Sequence, residues 1–360
     1  MEKIITYFLS LSLILIAGCS TKDDRDVITV EKFPQDIAIE GEYLDFEFTP
    51  YCPQTITIIE SYIIIRSGRV CNDKFFYVYN KDSKEYLGSF GVEGRGPNEF
   101  QNPRLTHQYL KTDNMTGFWV YDLRNFHLIN IDKSVETGET VVDSSYVGGF
   151  SDYPVSKAFL LPDGDMAGRA HSQKGRLFYY NNTNDSIKWV EYFPEVDKLP
   201  FRDEEIDNLY IGPTRISNDN SIIVSALELF KRIDVFSAKA DHLFSIVMED
   251  SPENPDFFTS PNNPIPDDLK HYYYDIYISD QHIYVLNIDL TEAEGRQELD
   301  TGYSELHVFS REGDPIALYR LNHMVFSFTI DEEEEYLYGL APPDSYEENE
   351  HDFHLLIFEL

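Results

Sequence analysis

An all-β fold, closed as a six-bladed propeller of four-stranded antiparallel blades, is predicted by three observations. From about residue 27 onward no segment keeps a helical period, and short β-branched or aromatic runs alternate with Asp, Asn, Gly and Ser turns. One pattern, an apolar pair, a polar turn and an apolar strand, recurs six times. The last copy lacks the fourth strand that the other five carry, so a strand from the N-terminal region, Val27 to Phe33 or Ile37 to Phe48, is expected to complete the sixth blade and remove the open sheet edges.

The copies run in order along the chain. Ile59-Glu60-Ser61 precedes Tyr62-Ile63-Ile64-Ile65, Asp113-Asn114 precedes Phe118-Trp119-Val120-Tyr121, and Leu161-Pro162-Asp163-Gly164-Asp165-Met166 makes the third. The others are Ile216 to Val224, Ile278 to Leu286 and Ile330 to Tyr338. Second strands starting at residues 62, 118, 166, 221, 283 and 336 give a period near fifty, which suits a four-stranded blade better than a sandwich. Each copy leads into a third strand, such as Phe75 to Tyr79 or Leu355 to Phe358, and the first five into a fourth ending near Phe90, Tyr146, Phe193, Met248 and Leu321.

Between the first two units lies Phe90-Gly91-Val92-Glu93-Gly94-Arg95-Gly96-Pro97-Asn98-Glu99-Phe100-Gln101-Asn102-Pro103, whose glycines and prolines forbid helix and strand interior. Its G-x-G-P-x-E-F run resembles the blade-to-blade crossing of NHL and TolB-like propellers. The resemblance implies membership of the TolB-like six-bladed β-propeller lipoproteins over roughly residues 27 to 360, as a single domain. No helix follows and no lysine is placed for a phosphate, so the stretch does not read as a phosphate-cradling loop.

The first residues read as a targeting signal. Lys3 precedes the apolar run Ile4 to Ile16, which is too short to span a bilayer comfortably. It ends in Ile16-Ala17-Gly18-Cys19, which resembles the bacterial lipobox. The resemblance implies a signal peptide over 1–18, a lipidated tether over 19–26 and acyl chains on Cys19 that anchor the protein to a membrane. Lys22-Asp23-Asp24 resembles the signal that sends lipoproteins to the outer face of the outer membrane. An ordinary tether would leave the protein on the periplasmic face.

Outside the cytoplasm disulfides persist. Cys52 lies just before one expected strand and Cys71 just after the next, so antiparallel pairing brings them to the same end, either as a disulfide or as two buried thiols. Composition narrows the partners. A formal net charge of −35 argues against nucleic acid and against surface adhesion to anionic lipid, and keeps a monomer soluble. With 42% hydrophobic and 14% aromatic residues, the chain is not a disordered acidic tail.

In a four-stranded blade the second-to-third loops and the crossings share one face. The long connections, namely the glycine-rich stretch, Glu195 to Gly212, Asp250 to Asp268, Thr291 to Gly302 and Ala341 to Asp352, all belong to it, so the binding surface is expected there. Near the start of the innermost strands stand Arg104, Lys157, Arg215, Lys270 and His323. Facing the channel mouth they would form a positive collar for a carboxylate, phosphate or acidic sugar, with Arg95 on the crossing as a further candidate. Their distances to the following turns are unequal, so they share one layer only if bulges intervene. Salt bridges to neighbouring acids are the competing reading.

Compact catalytic motifs are absent. There is no G-x-S-x-G elbow and no H-E-x-x-H helix, and Asp163-Gly164-Asp165 is a hairpin turn rather than a calcium loop. Asp331 to Glu335 reads as a solvated face, and Tyr272-Tyr273-Tyr274 as core. Arg169 and His171 suit acid/base work but show no spaced partner carboxylate. No catalytic residue and no cofactor is assigned. The expected function is a non-enzymatic binding or scaffold lipoprotein of the cell envelope, presenting its face to a small anionic ligand, glycan, peptide or envelope protein. Two alternatives remain open: a calcium-dependent, lactonase-like hydrolase with its site in the channel, which the fold resemblance allows, and an interaction platform in a membrane assembly.

Overall fold

A computed structural model describes residues 26–44, 50, 52–68, 73–148, 153–196, 206–253, 266–297, 303–342 and 353–360. Six antiparallel sheets are arranged as blades, each opening on an innermost strand: Pro53–Ile59, Arg104–Thr112, Val155–Leu160, Thr214–Ile216, Lys270–Ile278 and Ser327–Ile330. Second strands begin at Tyr62, Met115, Met166, Ile222, His282 and Tyr336, within three residues of the positions expected from the repeat.

The core is the set of seams between blades. Each neighbouring pair buries one apolar cluster: Phe76 with Phe118, Tyr121 with Phe178, Phe159 with Phe236, Val235 with Ile276, Leu306 with Phe328, and Ile65 with Leu340 around the closure. The alternation of each strand therefore buries both faces of the blade, which explains the Ile, Val and aromatic runs.

Closure uses the N-terminal segment three times. Glu42–Tyr43 pairs antiparallel with Leu356 and Ile357, supplying the fourth strand of blade 6 from inside the expected Ile37 to Phe48 region. Before that, Val27–Val30 adds a fifth, parallel strand to blade 4, and Gln35–Ile39 does the same for blade 5. The Val27 to Phe33 candidate thus belongs to blade 4 rather than to the closing blade. Asp36 receives two hydrogen bonds from Arg320, at 2.8 and 3.1 Å, and holds this segment to blade 5.

The helix Ile131–Thr137 was not expected from the periodicity. Its seven residues are too few to show a period, but its caps are explicit. The Asn130 side chain accepts the Lys133 N–H at 3.0 Å, and Gly138 ends the helix with φ 67°.

The glycine-rich crossing folds onto itself. Val92–Glu93 pairs with Glu99–Phe100, the Glu99 carboxylate accepts the Gly96 N–H at 2.7 Å, and Phe100 is buried against Phe76. A Cβ on Gly94 would meet Glu99 Oε2 at 1.9 Å, so the side-chain cap itself requires glycine there. Blade 3 has a comparable constraint, because a Cβ on Gly168 would lie 2.1 Å from the carbonyl oxygen of Lys157 on the inner strand. Gly168→Ala is expected to lower stability by about 1–3 kcal/mol in denaturant titration; an unchanged midpoint would show that the inner strand of blade 3 yields freely.

Cys52 is disulfide-bonded, and its carbonyl accepts hydrogen bonds from Gly68 N at 2.8 Å and Ser67 Oγ at 3.1 Å. Cys71, its expected partner, lies outside the described residues, as do Cys19 and the targeting segment.

Candidate functional site

The inner strands converge on a pocket of about 240 Å³ at the crossing face, and every blade contributes to its wall. Thr55 comes from blade 1, His107 from blade 2, Lys157 from blade 3, Arg215 from blade 4, Asp275 from blade 5 and Ser327 from blade 6. Ile211, Gly212 and Pro213, from the crossing between blades 3 and 4, form part of the lip.

Bulges bring these side chains together. The inner strands of blades 2 and 3 shift register between Leu105 and Tyr109 and between Val155 and Lys157, and that of blade 5 shifts twice between His271 and Asp275. The two shifts in blade 5 carry the chain past Lys270, so an aspartate rather than a lysine reaches the pocket. Lys270 is exposed and pairs with Asp289 at 2.8 Å. His323 stands edge-on to Tyr43 of the closing strand, 5.2 Å away, and Arg95 is exposed on the glycine-rich crossing. Of the six basic candidates, Lys157 and Arg215 therefore line the pocket, Arg104 is near enough to act on the Lys157 charge without being part of that lining, and Lys270, His323 and Arg95 are not brought there.

The polar bookkeeping within the pocket is uneven. Asp275 is saturated: one oxygen accepts Arg215 Nη2 at 3.3 Å and Ile276 N at 2.9 Å, and the other accepts Ser327 Oγ at 2.8 Å and Phe328 N at 3.1 Å. Arg104 donates to the carbonyls of Val155 and Ser156. Arg66, just behind, donates to Pro103 O at 2.7 Å and Asn102 Oδ1 at 3.1 Å, and burial together with Arg104 brings it down to about 10. By contrast, Thr55 Oγ1, His107 Nδ1 and Arg215 Nε are buried without a hydrogen-bond partner, and the half-buried Lys157 ammonium makes no hydrogen bond or ion pair among the described residues. Buried polar groups left open in this way normally face water or a ligand.

Electrostatics follow from this crowding. Burial lowers the Lys157 amine to about 8; Asp275 opposes the shift, and Arg215, Arg104 and Arg66 reinforce it. Burial, then Arg215 and Lys157, push His107 well below the ordinary histidine range, so its ring is neutral at pH 7. His107 also holds a left-handed backbone, φ 62°, at the bulge. For a residue other than glycine this costs about 1–3 kcal/mol and persists where surrounding structure enforces it.

A second cavity of about 530 Å³ lies beside the same crossing, lined by Tyr153, His171, Lys174 and Asp207. Here the structure supplies the carboxylate that local spacing did not reveal. Buried Asp207, on the short helix Ile206–Leu209, binds His171 Nδ1, while Arg169 donates to the Asp207 carbonyl at 2.8 Å. The acidic turn is also more engaged than a solvated face. Asp331 caps Glu335 N and Tyr336 N, and Glu334 Oε2 binds His282 and Tyr284 at 2.6 Å each. Tyr272 and Tyr273 are core, as expected, whereas Tyr274 is exposed at the pocket mouth. Asp165, in the Asp163-Gly164-Asp165 turn, accepts Tyr179 OH at 2.5 Å and Asn182 N at 2.9 Å.

The pattern of the TolB-like 6-blade propeller family matches residues 33–333. The chain belongs to the TolB-like six-bladed propeller family. No curated protein matches the chain. Among solved structures, this TolB-like chain is similar to a protein of Bacteroides fragilis NCTC 9343 described as exported, with TM-score 0.55 and 14% identity over 92% of this chain and 98% of that one. It is also similar to a member of the DUF4221 family from Bacteroides vulgatus ATCC 8482, with TM-score 0.54 and 15% identity over 89% and 97% of the two chains. At such identities the likeness is one of fold. The TolB-like ring places its pocket on the axis, and the chemistry of that pocket is read from this chain's own residues.

Proposed function

We propose that this propeller is a non-enzymatic, cell-envelope binding protein that holds a small anion in its axial pocket. The observation that carries the reading is the pair of cations Lys157 and Arg215 lining the pocket, with Arg104 close enough to act on the Lys157 charge, beside buried polar atoms that lack partners, in a chain of net charge −35. Solvated acids on the outside need no ligand; a lysine surrounded by guanidinium groups does, because the like charges repel in a site of reduced dielectric.

Size limits the ligand. A pocket of about 240 Å³ is smaller than a typical drug-sized site. It suits a carboxylate, a phosphate or a single acidic sugar fragment, and leaves glycan chains and peptides to the surrounding loops. The calcium-hydrolase alternative is less well supported, because the Asp275 carboxylate already accepts four hydrogen bonds, Glu228 is engaged by His271 at 2.7 Å, and no group of three His, Cys, Asp or Glu able to hold a metal occurs among the described residues. The envelope address rests on the lipobox-like Ile16-Ala17-Gly18-Cys19, outside the described residues, with the exported relative consistent with it.

Calorimetric titration with phosphate, oxalate and glucuronate, with glucose as the neutral control, tests the reading. At least one anion is expected to bind and glucose is not. Lys157→Met removes a charge that makes no hydrogen bond or ion pair among the described residues, so it is expected to weaken anion binding by roughly 10- to 100-fold, the worth of one charge-assisted hydrogen bond, without lowering the melting temperature, since the folded state disfavours that charge. Equal affinities for the variant and the parent would sink the proposal.

A further inference from the structure

We propose that Lys157 captures small 2-oxo acids covalently, condensing with the ketone or aldehyde carbon to form a reversible imine. This rests on the reading of the axial pocket as an anion site and specifies the anion. A lysine that served only as a counter-charge would be expected to engage a protein acceptor when the pocket is empty. Lys157 has none among the described residues: of the two carboxylates that line the pocket, Asp275 is occupied by Arg215, Ser327 and backbone N–H groups, and Glu228 is bound to His271. Lys157 therefore lines the pocket with no protein acceptor engaging its amine among the described residues.

Its surroundings favour the free base. Arg215, Arg104 and Arg66 oppose protonation from blades 4, 2 and 1, with burial the largest influence, and Asp275 acts against them. A lysine beside other cations is a standard way to keep a nucleophilic amine near neutral pH. A guanidinium also supplies what the other end of a 2-oxo acid needs, since a carboxylate next to the ketone can settle against Arg215, which lines the same pocket.

His107 completes the set. It lines the same pocket, its ring is neutral, its Nδ1 is buried without a partner, and its left-handed backbone holds it there. The step balances without an oxidant or a metal. The Lys157 Nζ lone pair adds to the carbonyl carbon and the C=O π pair moves to oxygen; the first N–H proton passes through His107 to that oxygen, giving the neutral carbinolamine. The nitrogen lone pair then forms the C=N bond as the C–O bond breaks, and the second N–H proton passes through His107 to the departing hydroxide, which leaves as water. The amine and the carbonyl become an imine and one water molecule.

The test uses the full chain with pyruvate as the carbonyl probe and oxalate as an anion with no ketone carbon. Pyruvate at pH 8 followed by borohydride is expected to leave one reduced adduct per chain, mapped to Lys157 by peptide mass spectrometry. Oxalate should compete it away. Lys157→Arg, which keeps the charge, should still bind oxalate and lose the adduct. With pyruvate saturating, so that any change in affinity is removed from the readout, His107→Gln is expected to slow adduct formation at least tenfold, an effect on rate that a purely structural residue would not produce. Pyruvate binding in calorimetry with no adduct at Lys157, or with adducts spread evenly over surface lysines, would overturn the imine and leave the anion site standing. Failure of both pyruvate and oxalate to bind would overturn both.

Discussion

Replacing Asp234 by alanine is expected to destabilise the propeller by about 3–5 kcal/mol, the usual result of leaving buried charge uncompensated. Asp234 is fully buried on the third strand of blade 4. One carboxylate oxygen takes Arg232 Nε at 2.7 Å and Ser245 Oγ at 2.5 Å, and the other takes Arg176 Nη2 from blade 3. Arg176 is 1% exposed, and its Nε and Nη1 have no hydrogen-bond partner. Those edges lie among aromatic rings instead, with the guanidinium 4.4 Å from the Phe193 centroid and 5.4 Å from that of Phe236. Alanine at 234 would leave two guanidinium groups facing each other across the seam of blades 3 and 4. Arg176→Met in the Asp234→Ala background should restore part of the loss, because it removes one of the stranded charges.

The network also sets an acid limb. Burial pushes the Asp234 carboxyl up, but Arg176 and Arg232 outweigh it, so the net shift is downward. A carboxyl lowered in the folded state stabilises above its unfolded pKa, near 4, and loses that contribution as the pH falls through the folded value. The parent is thus expected to lose stability steeply below pH 4, and Asp234→Ala to start lower and fall less. Thermal melts from pH 3 to 7 check both; a loss under 1 kcal/mol at pH 7 would show that this seam does not depend on the network.

How far the fold could be read in advance depended on the range of the determining interaction. Hairpin turns such as Ile278-Ser279-Asp280 and Leu161-Pro162-Asp163-Gly164 are local, and their sixfold recurrence located the blades to within a few residues. Val27–Val30 and Gln35–Ile39 read as strands too, but their parallel partners are the outer edges of blades 4 and 5, about 220 and 280 residues away, and an edge carries no sequence mark of what will dock on it.

The site divides in the same way. Arg104, Lys157 and Arg215 were legible because each stands near the start of an inner strand. Lys270 looked equivalent, and the double bulge before Asp275 replaced it, since bulges arise from packing that the linear pattern does not show. His107 carried no signal beyond its place in a nine-residue strand, because nothing in Leu105-Thr106-His107-Gln108 demands a positive φ. Asp207 escaped because it reaches His171 from a different crossing, 36 residues along the chain. Arg176 and Asp234, 58 residues apart, meet only when neighbouring blades pack.

Anion binding by the axial pocket is expected to be nearly flat below pH 7 and to weaken by up to tenfold per pH unit above about 8, as Lys157 loses its charge. The groups that set this point are Arg215, Arg104 and Arg66, which discourage protonation, and Asp275, which favours it, with His107 neutral alongside. A doubly charged probe such as oxalate supplies the counter-charge that Asp275, engaged elsewhere, does not, so binding should raise the Lys157 pKa and draw a proton from the buffer. Calorimetry at pH 8.5 in buffers of different ionisation enthalpy measures that proton directly. In the unliganded protein the sign runs the other way from the usual lysine. Its folded pKa, about 8, lies below the unfolded value of about 10.4, so between those limits the unfolded chain holds the extra proton and stability rises with pH. Bound oxalate should flatten that rise, and Lys157→Met should abolish both the rise and the proton uptake. A pH profile for oxalate that is unchanged in Lys157→Met would assign the titration to another group and remove Lys157 from the site.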